Sequence, residues 1–257
     1  MSRGIIIVAF GQEYDRVAAA AWKYSQTHTT LPLCVLTNLP KVQRSPKWDT
    51  CQNFVMIEHA DPVNKNRQYK TSLCDHTPFD ETLYMDATCV LRRAGIEHEL
   101  DMLQEHDMLF HHYLSWGGYC KRVLKIYQRA MQKFHVALPV DMPSGCVFAF
   151  RKNDKVRKFF TTWNMYWLAF GAGWEMPPLM CARKHSVQSG LFAGWLTEAY
   201  YAVEYEGVTA IVQRLYDKQI AGQFDVPDHK HYHPFDTDPT DFTWVDYKPL
   251  ECKGCGA

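Results

Sequence analysis

The chain of 257 residues has no excess charge of either sign, since 28 Lys plus Arg balance 28 Asp plus Glu. A face that is basic throughout, as nucleic-acid binders present, is therefore not announced, although a balanced total leaves room for a local patch. No stretch of about eighteen consecutive apolar residues occurs, so no membrane-spanning helix is encoded. The apolar run at residues 4–10 is too short for a bilayer span or a secretory leader with its cleavage site. Internal repeats, low-complexity tracts and Pro/Gly/Ser linkers are also missing, which favours one domain over two. The nine Cys are odd in number and scattered, so a reduced, intracellular protein is expected rather than a disulfide scaffold. Cys252-Lys253-Gly254-Cys255 offers two of the about four ligands that a structural zinc needs.

What is present suffices for a core. Hydrophobic residues make up 47% of the chain and charged residues 22%, so wholesale disorder is excluded. Residues 4–10 are a β-branched apolar run and read as a central strand buried on both faces. Further strands are expected at 31–38, 54–57, 83–91 and 146–150. Helices are expected at 14–26, 67–76, 96–106, 119–134, 154–169 and 187–203. Residues 207–216 read as a strand or a short helix, and residues from 222 on as an ordered, aromatic-rich wrap. Strand–helix–strand repetition implies an α/β fold with a mostly parallel, Rossmann-like central sheet and helices on both faces. In such sheets the C-terminal strand ends gather on one edge, where nucleotides bind. Gly11, Asn38, His59 and Asp86 or Thr88 fall on that edge.

Asp86 stands out. It interrupts the apolar strand that carries Leu83, Tyr84 and Met85 before it and Cys89, Val90 and Leu91 after it. A carboxylate buried alone is very costly, so Asp86 needs a cation, a metal or hydrogen-bond donors. Arg67 and Lys70, three apart on one helix face, are its candidate ion-pair partners in a purely structural reading.

The run Asn66-Arg67-Gln68-Tyr69-Lys70-Thr71, followed by Pro78-Phe79-Asp80-Glu81-Thr82-Leu83-Tyr84-Met85-Asp86-Ala87-Thr88, resembles nucleotide-sugar glycosyltransferases of the GT-A fold. Their pattern is a basic helix and then a strand ending in Asp-x-Asp. The resemblance extends over residues 4–233 and is specific only in short patches. It implies a nucleotide-diphosphate sugar as donor, with Mn²⁺ or Mg²⁺ on the diphosphate, because a hard cation held by carboxylates makes that group leave. Asp86 and Thr88 would be metal ligands, but Thr88 contributes no charge where the family has a second acid. Arg67 and Lys70 would meet the diphosphate, Arg through its planar fork and Lys as a point charge. Phe10, Gly11 and Tyr14 resemble the nucleoside-binding turn, where an aromatic ring can stack on a base and Gly11 admits close approach.

Three later patches extend the resemblance. Ser144 and Gly145 lie in a small-residue turn that opens a strand beside the donor sugar. Asp141, just before it, would touch sugar hydroxyls or act as base toward the acceptor, and is otherwise a local cap. His185-Ser186-Val187-Gln188 resembles the Asp-Gln helix start of glycogenin-like retaining enzymes, with Val187 in place of the Asp. Gln188 would face the anomeric carbon and act electrostatically. His229-Lys230-His231-Tyr232-His233 puts three His on one face if extended. His231 would complete the metal site, with His229 and His233 behind it; a solvated loop or a separate zinc site is the alternative.

The leading function is therefore transfer of a sugar from a nucleotide-diphosphate donor to an acceptor hydroxyl. Candidate acceptors are a glycan, free or lipid-linked, a protein, a small molecule or a hydroxylated DNA base. The aromatic segment at 113–119, with Lys121, Arg122 and Lys125 after it, is a candidate acceptor platform, or simply aromatic core beside a solvated basic helix. Membrane-anchored Golgi enzymes of this fold carry a transmembrane stem. Its absence points to the cytoplasm of a bacterium or a virus-infected cell. The chain divides into a nucleotide-binding half at 1–91, an acceptor side at 92–233 and a wrap at 234–257. A nucleotidyltransferase ranks lower, because the loop at 11–16 is not Gly-rich. The departures at Thr88 and Val187 keep a non-catalytic nucleotide-sugar-binding protein in view.

Overall fold

The structure is a computed structural model that describes residues 1–48, 53–57, 62–113, 128–129, 131–137, 142–172, 175–196 and 212–214. Its centre is a seven-stranded sheet in the order β3-β2-β1-β4-β7-β6-β8. The strands are β1 (Arg3–Val8), β2 (Leu33–Thr37), β3 (Asn53–Met56), β4 (Glu81–Asp86), β6 (Met108–Tyr113), β7 (Met142–Arg151) and β8 (Ala193–Trp195). β1 is parallel to β2 and β4, β2 to β3, and β6 to β8, whereas β7 runs antiparallel to both β4 and β6. The expected mostly parallel sheet with helices on both faces is what the chain forms.

Side chains alternate between the faces, as a period of two requires. Ile5, Ile7, Val35, Leu83 and Met85 point to one face, where Ala18, Ala19 and Trp22 of α1 (Gly11–Ser25) and Ile96 and Leu100 of α4 (Ile96–Asp101) cover them. Ile6, Val8, Leu36, Tyr84 and Phe148 point to the other. That face carries α3 (Leu73–His76), α5 (Asp154–Ala169) and α6 (Met176–Gln188). The aromatic residues concentrate there. Phe148 stacks on Tyr84 at 4.8 Å and meets the Trp163 ring edge-on at 5.8 Å. α5 opens with Asn153, whose side chain accepts the Val156 amide as an N-cap.

Several expected boundaries shift. The strand expected at 83–91 is two elements: β4 stops at Asp86, Ala87 and Thr88 turn, and β5 (Cys89–Leu91) pairs antiparallel with β9 (Val212–Arg214) in a separate two-stranded sheet. The helix expected at 67–76 is α2 (Pro62–Lys70), a turn at Thr71 and Ser72, and then α3. Of the helix expected at 187–203, residues 187 and 188 end α6 and Ala193–Trp195 form β8, while 197–203 lie outside the described residues. Most of the 119–134 expectation lies outside the described residues. Among the described residues Cys34, Cys74, Cys89, Cys146 and Cys181 are buried free thiols, and burial pushes the Cys181 thiol up to about 12. No described helix is long and apolar enough to cross a membrane.

Trp163 is fully buried between α5 and the sheet. Trp163→Ala is expected to cost about 3–5 kcal/mol, read from the urea midpoint at unchanged slope. A loss below about 1 kcal/mol would show this face to be loosely packed.

Candidate functional site

The strand directions fix where a site can form. β1, β2 and β4 end on one edge at Val8, Thr37 and Asp86. β7 runs the other way, so its first residues reach the same edge: Met85 pairs with Val147, and Cys146, Gly145 and Ser144 continue past it. Two helices meet Asp86 there. α2 ends on Lys70, and α6 starts directly after Glu175.

These ends form one charged cluster. Lys70 Nζ lies 2.8 Å from Asp86 Oδ1 and 2.7 Å from Glu175 Oε1. Tyr84 and Asp86 are two apart on β4 and so share a face, and the Tyr84 hydroxyl donates to Asp86 Oδ1 at 2.7 Å. Lys70 is only 3% exposed. Burial by itself would lower the ammonium pKa, but the charges of Asp86 and Glu175 outweigh it and hold the group above its ordinary value. Burial, with the same two negative charges, pushes the Tyr84 phenol well above its usual range, so it stays a neutral donor. One ammonium is thus shared by two carboxylates. The two carboxylate side chains keep 15% and 16% of their surface open. The second Glu175 oxygen accepts no hydrogen bond among the described residues.

The surroundings hold this geometry. Glu175 occupies the N-cap position of α6 without capping it, because its carboxylate turns to Lys70 instead. Pro at the start of α6 is tolerated, since the first-turn amides have no intrahelical partner. Gly145 lies close to the acid: a Cβ there would stand 3.0 Å from Glu175 Oε1, tighter than an ordinary contact. Ser144 is buried, and its hydroxyl accepts the Cys146 amide. His111 of β6, also buried, lies opposite Ser144 in the register.

The expected nucleoside turn is held by two amides. Gly11 begins α1 at φ 80°, a conformation that suits glycine. Its N–H donates to Asn38 Oδ1 at 2.8 Å, and the Phe10 N–H donates to Asn66 Oδ1 at 2.9 Å. The Phe10 ring is fully buried and packs on Tyr69 at 5.1 Å, so it is core and does not stack on a base. Tyr14 is half-buried against the opposite core face. Arg67 lies one turn before Lys70 on α2, half-buried.

Two sequence expectations change. Thr88 is not aimed beside Asp86 by strand periodicity, because the strand has ended; it is buried in the turn. Gln188 does not start a helix but ends one, and is exposed. α6 has 13 residues, so Gln188 lies about 20 Å from the Glu175 end of the helix. Asp141, His229, His231 and His233 lie outside the described residues. The helix start that does face the cluster carries Glu175, which sequence reasoning missed. Among the described residues no group of three His, Cys, Asp or Glu is placed to hold a metal ion. The two acids that converge share an ammonium, so the described residues do not fit a divalent metal.

No protein-family model matches the chain, and no curated protein matches it. Solved structures do. The bifunctional glycosyltransferase WbbM in its apo form aligns with a TM-score of 0.58 and 10% identity, over 84% of this chain and 46% of its own. The galactosyltransferase LgtC, in complex with donor and acceptor sugar analogues, aligns with a TM-score of 0.57 and 11% identity, over 84% of this chain and 87% of its own. The chain thus spans less than half of WbbM and most of LgtC. At such identities the likeness is one of fold: the α/β architecture of the GT-A glycosyltransferases.

Proposed function

We propose that the chain transfers a sugar from a nucleotide-diphosphate donor to an acceptor hydroxyl. The observation that carries this reading is the Lys70-clamped acid pair at the strand-end edge, where open α/β sheets take nucleotides. The fold shared with two glycosyltransferases supports it.

The chemistry follows from the charges. Carboxylates accept hydrogen bonds from sugar hydroxyls, and both acids are positioned against Lys70. Departure of the nucleotide leaves positive charge at the anomeric carbon, and nearby carboxylate oxygens stabilise it. A carboxylate paired to an ammonium is a poor base and a poor nucleophile, so the part assigned to Glu175 is electrostatic. That is the role the sequence suggested for Gln188, now moved to the other end of α6. Arg67 supplies positive charge toward the diphosphate. The acceptor remains a hydroxyl of a glycan, a protein, a small molecule or a modified DNA base. A non-catalytic nucleotide-sugar-binding protein is the second reading, favoured by the uncharged, buried Thr88 at the place of the second acid.

A thermal-shift screen of nucleotide sugars, followed by donor hydrolysis and transfer assays, tests the proposal. Turnover is expected with one nucleotide, and Asp86→Asn and Glu175→Gln are each expected to lower it by about a hundredfold or more in protein shown to be folded. Turnover unchanged in both variants contradicts the mechanism; binding without turnover favours the second reading. Gly145→Ala tests the clamp sterically. It is expected to lower stability by about 1–3 kcal/mol by displacing the Glu175 carboxylate. In a Glu175→Ala background the same substitution is expected to cost no more than about 0.5 kcal/mol.

A further inference from the structure

We propose that Lys70 is the resident cation of the acid pair, so that the pair takes no divalent metal and the donor binds without one. This rests on the donor reading above and adds to it the group that stands in the metal's place. Asp86 at the end of β4 and Glu175 before α6 are 89 positions apart in sequence, yet both converge on Lys70 Nζ, at 2.8 and 2.7 Å. Carboxylate oxygens converging on one point are what a hard divalent cation uses. Here the point is filled by an ammonium tethered to the chain. A metal held by the same two oxygens would have to displace Nζ and leave an unpaired ammonium beside a dication, which like-charge repulsion opposes.

Lys70 has little freedom to step aside. It is 3% exposed, and the next residue, Thr71, is tied through its hydroxyl to Asn164 on α5 at 3.0 Å. The acid pair is equally fixed: the Tyr84 hydroxyl holds Asp86, and Gly145 admits Glu175. An ammonium has three N–H donors. Two meet the acids, and the third has no acceptor among the described residues, which leaves it for an anionic oxygen of the ligand.

The test has two arms on the full chain. In the first, free Mn²⁺ is followed by electron paramagnetic resonance during titration, without nucleotide. The native protein is expected to show no Mn²⁺ site that Asp86→Asn removes. Lys70→Ala is expected to gain one, with Mn²⁺ affinity raised about tenfold or more, and to lose it again when combined with Asp86→Asn. In the second, nucleoside diphosphates (UDP, GDP, CDP and ADP) are titrated calorimetrically in EDTA or in Mn²⁺. The one that binds is expected to have the same affinity in both within about threefold. A native Mn²⁺ site that depends on Asp86, as a partnership with His231 would make, overturns the proposal. So does a Lys70→Ala protein that gains no Mn²⁺, or loss of nucleotide binding in EDTA. Should Lys70→Ala fail to fold, the native titrations decide alone. Binding of no nucleotide in either condition sinks the donor reading, while the Mn²⁺ arm still decides what fills the cation position.

Discussion

A buried ammonium is tolerable only when anions surround it, and this edge of the fold is arranged around that requirement. Lys70 ends α2 on one face of the sheet, almost without solvent contact. Its two counter-ions come from the end of β4 and from the start of α6. The cluster therefore ties α2 and β4 to the start of α6, 89 positions beyond Asp86 in sequence. It also explains smaller features nearby. Tyr84 is the donor on Asp86, Gly145 is where Glu175 must come close, and the α6 N-cap acid leaves its own helix uncapped. Removal of one partner of such a cluster strands the others in low dielectric.

Much of the fold was legible from pattern. The apolar, β-branched runs of β1 and β2 and the helical spacing of Val156, Phe159, Phe160, Trp163 and Trp167 appear where sequence places them. Other elements were hidden by local composition. β6 carries His111 and His112 after its apolar start and reads as a weak strand. α6 opens with Met176-Pro177-Pro178, a sequence that suggests a loop although Pro fits a first helical turn. The continuation of apolar residues past Asp86 suggested one long strand. The chain instead turns at Ala87 and Thr88 and uses Cys89–Leu91 in a second sheet.

The site was half legible for the same reasons. That Asp86 needed a partner followed from burial alone, and Lys70 was among the candidates. Glu175 was not, because an acid just ahead of Met-Pro-Pro carries no spacing signal toward Asp86. The usable cue was its place before a Pro-led helix start, a position where acids are favourable. Gln188 was drawn from a short likeness, and the 13-residue length of α6 puts it at the wrong end of the helix. Periodicity placed Thr88 beside Asp86, and the end of β4 removed that relation. Together these changes shift the chemistry from a carboxylate pair on one strand to a pair assembled across the sheet edge by a lysine.

A double-mutant cycle on stability tests that assembly most directly. Asp86→Asn, Glu175→Gln and the double variant are unfolded in urea at neutral pH and compared with the native chain. If both acids act through one buried ammonium, the double variant departs from additivity by about 1 kcal/mol or more. Additivity within about 0.3 kcal/mol would contradict a shared Lys70 clamp.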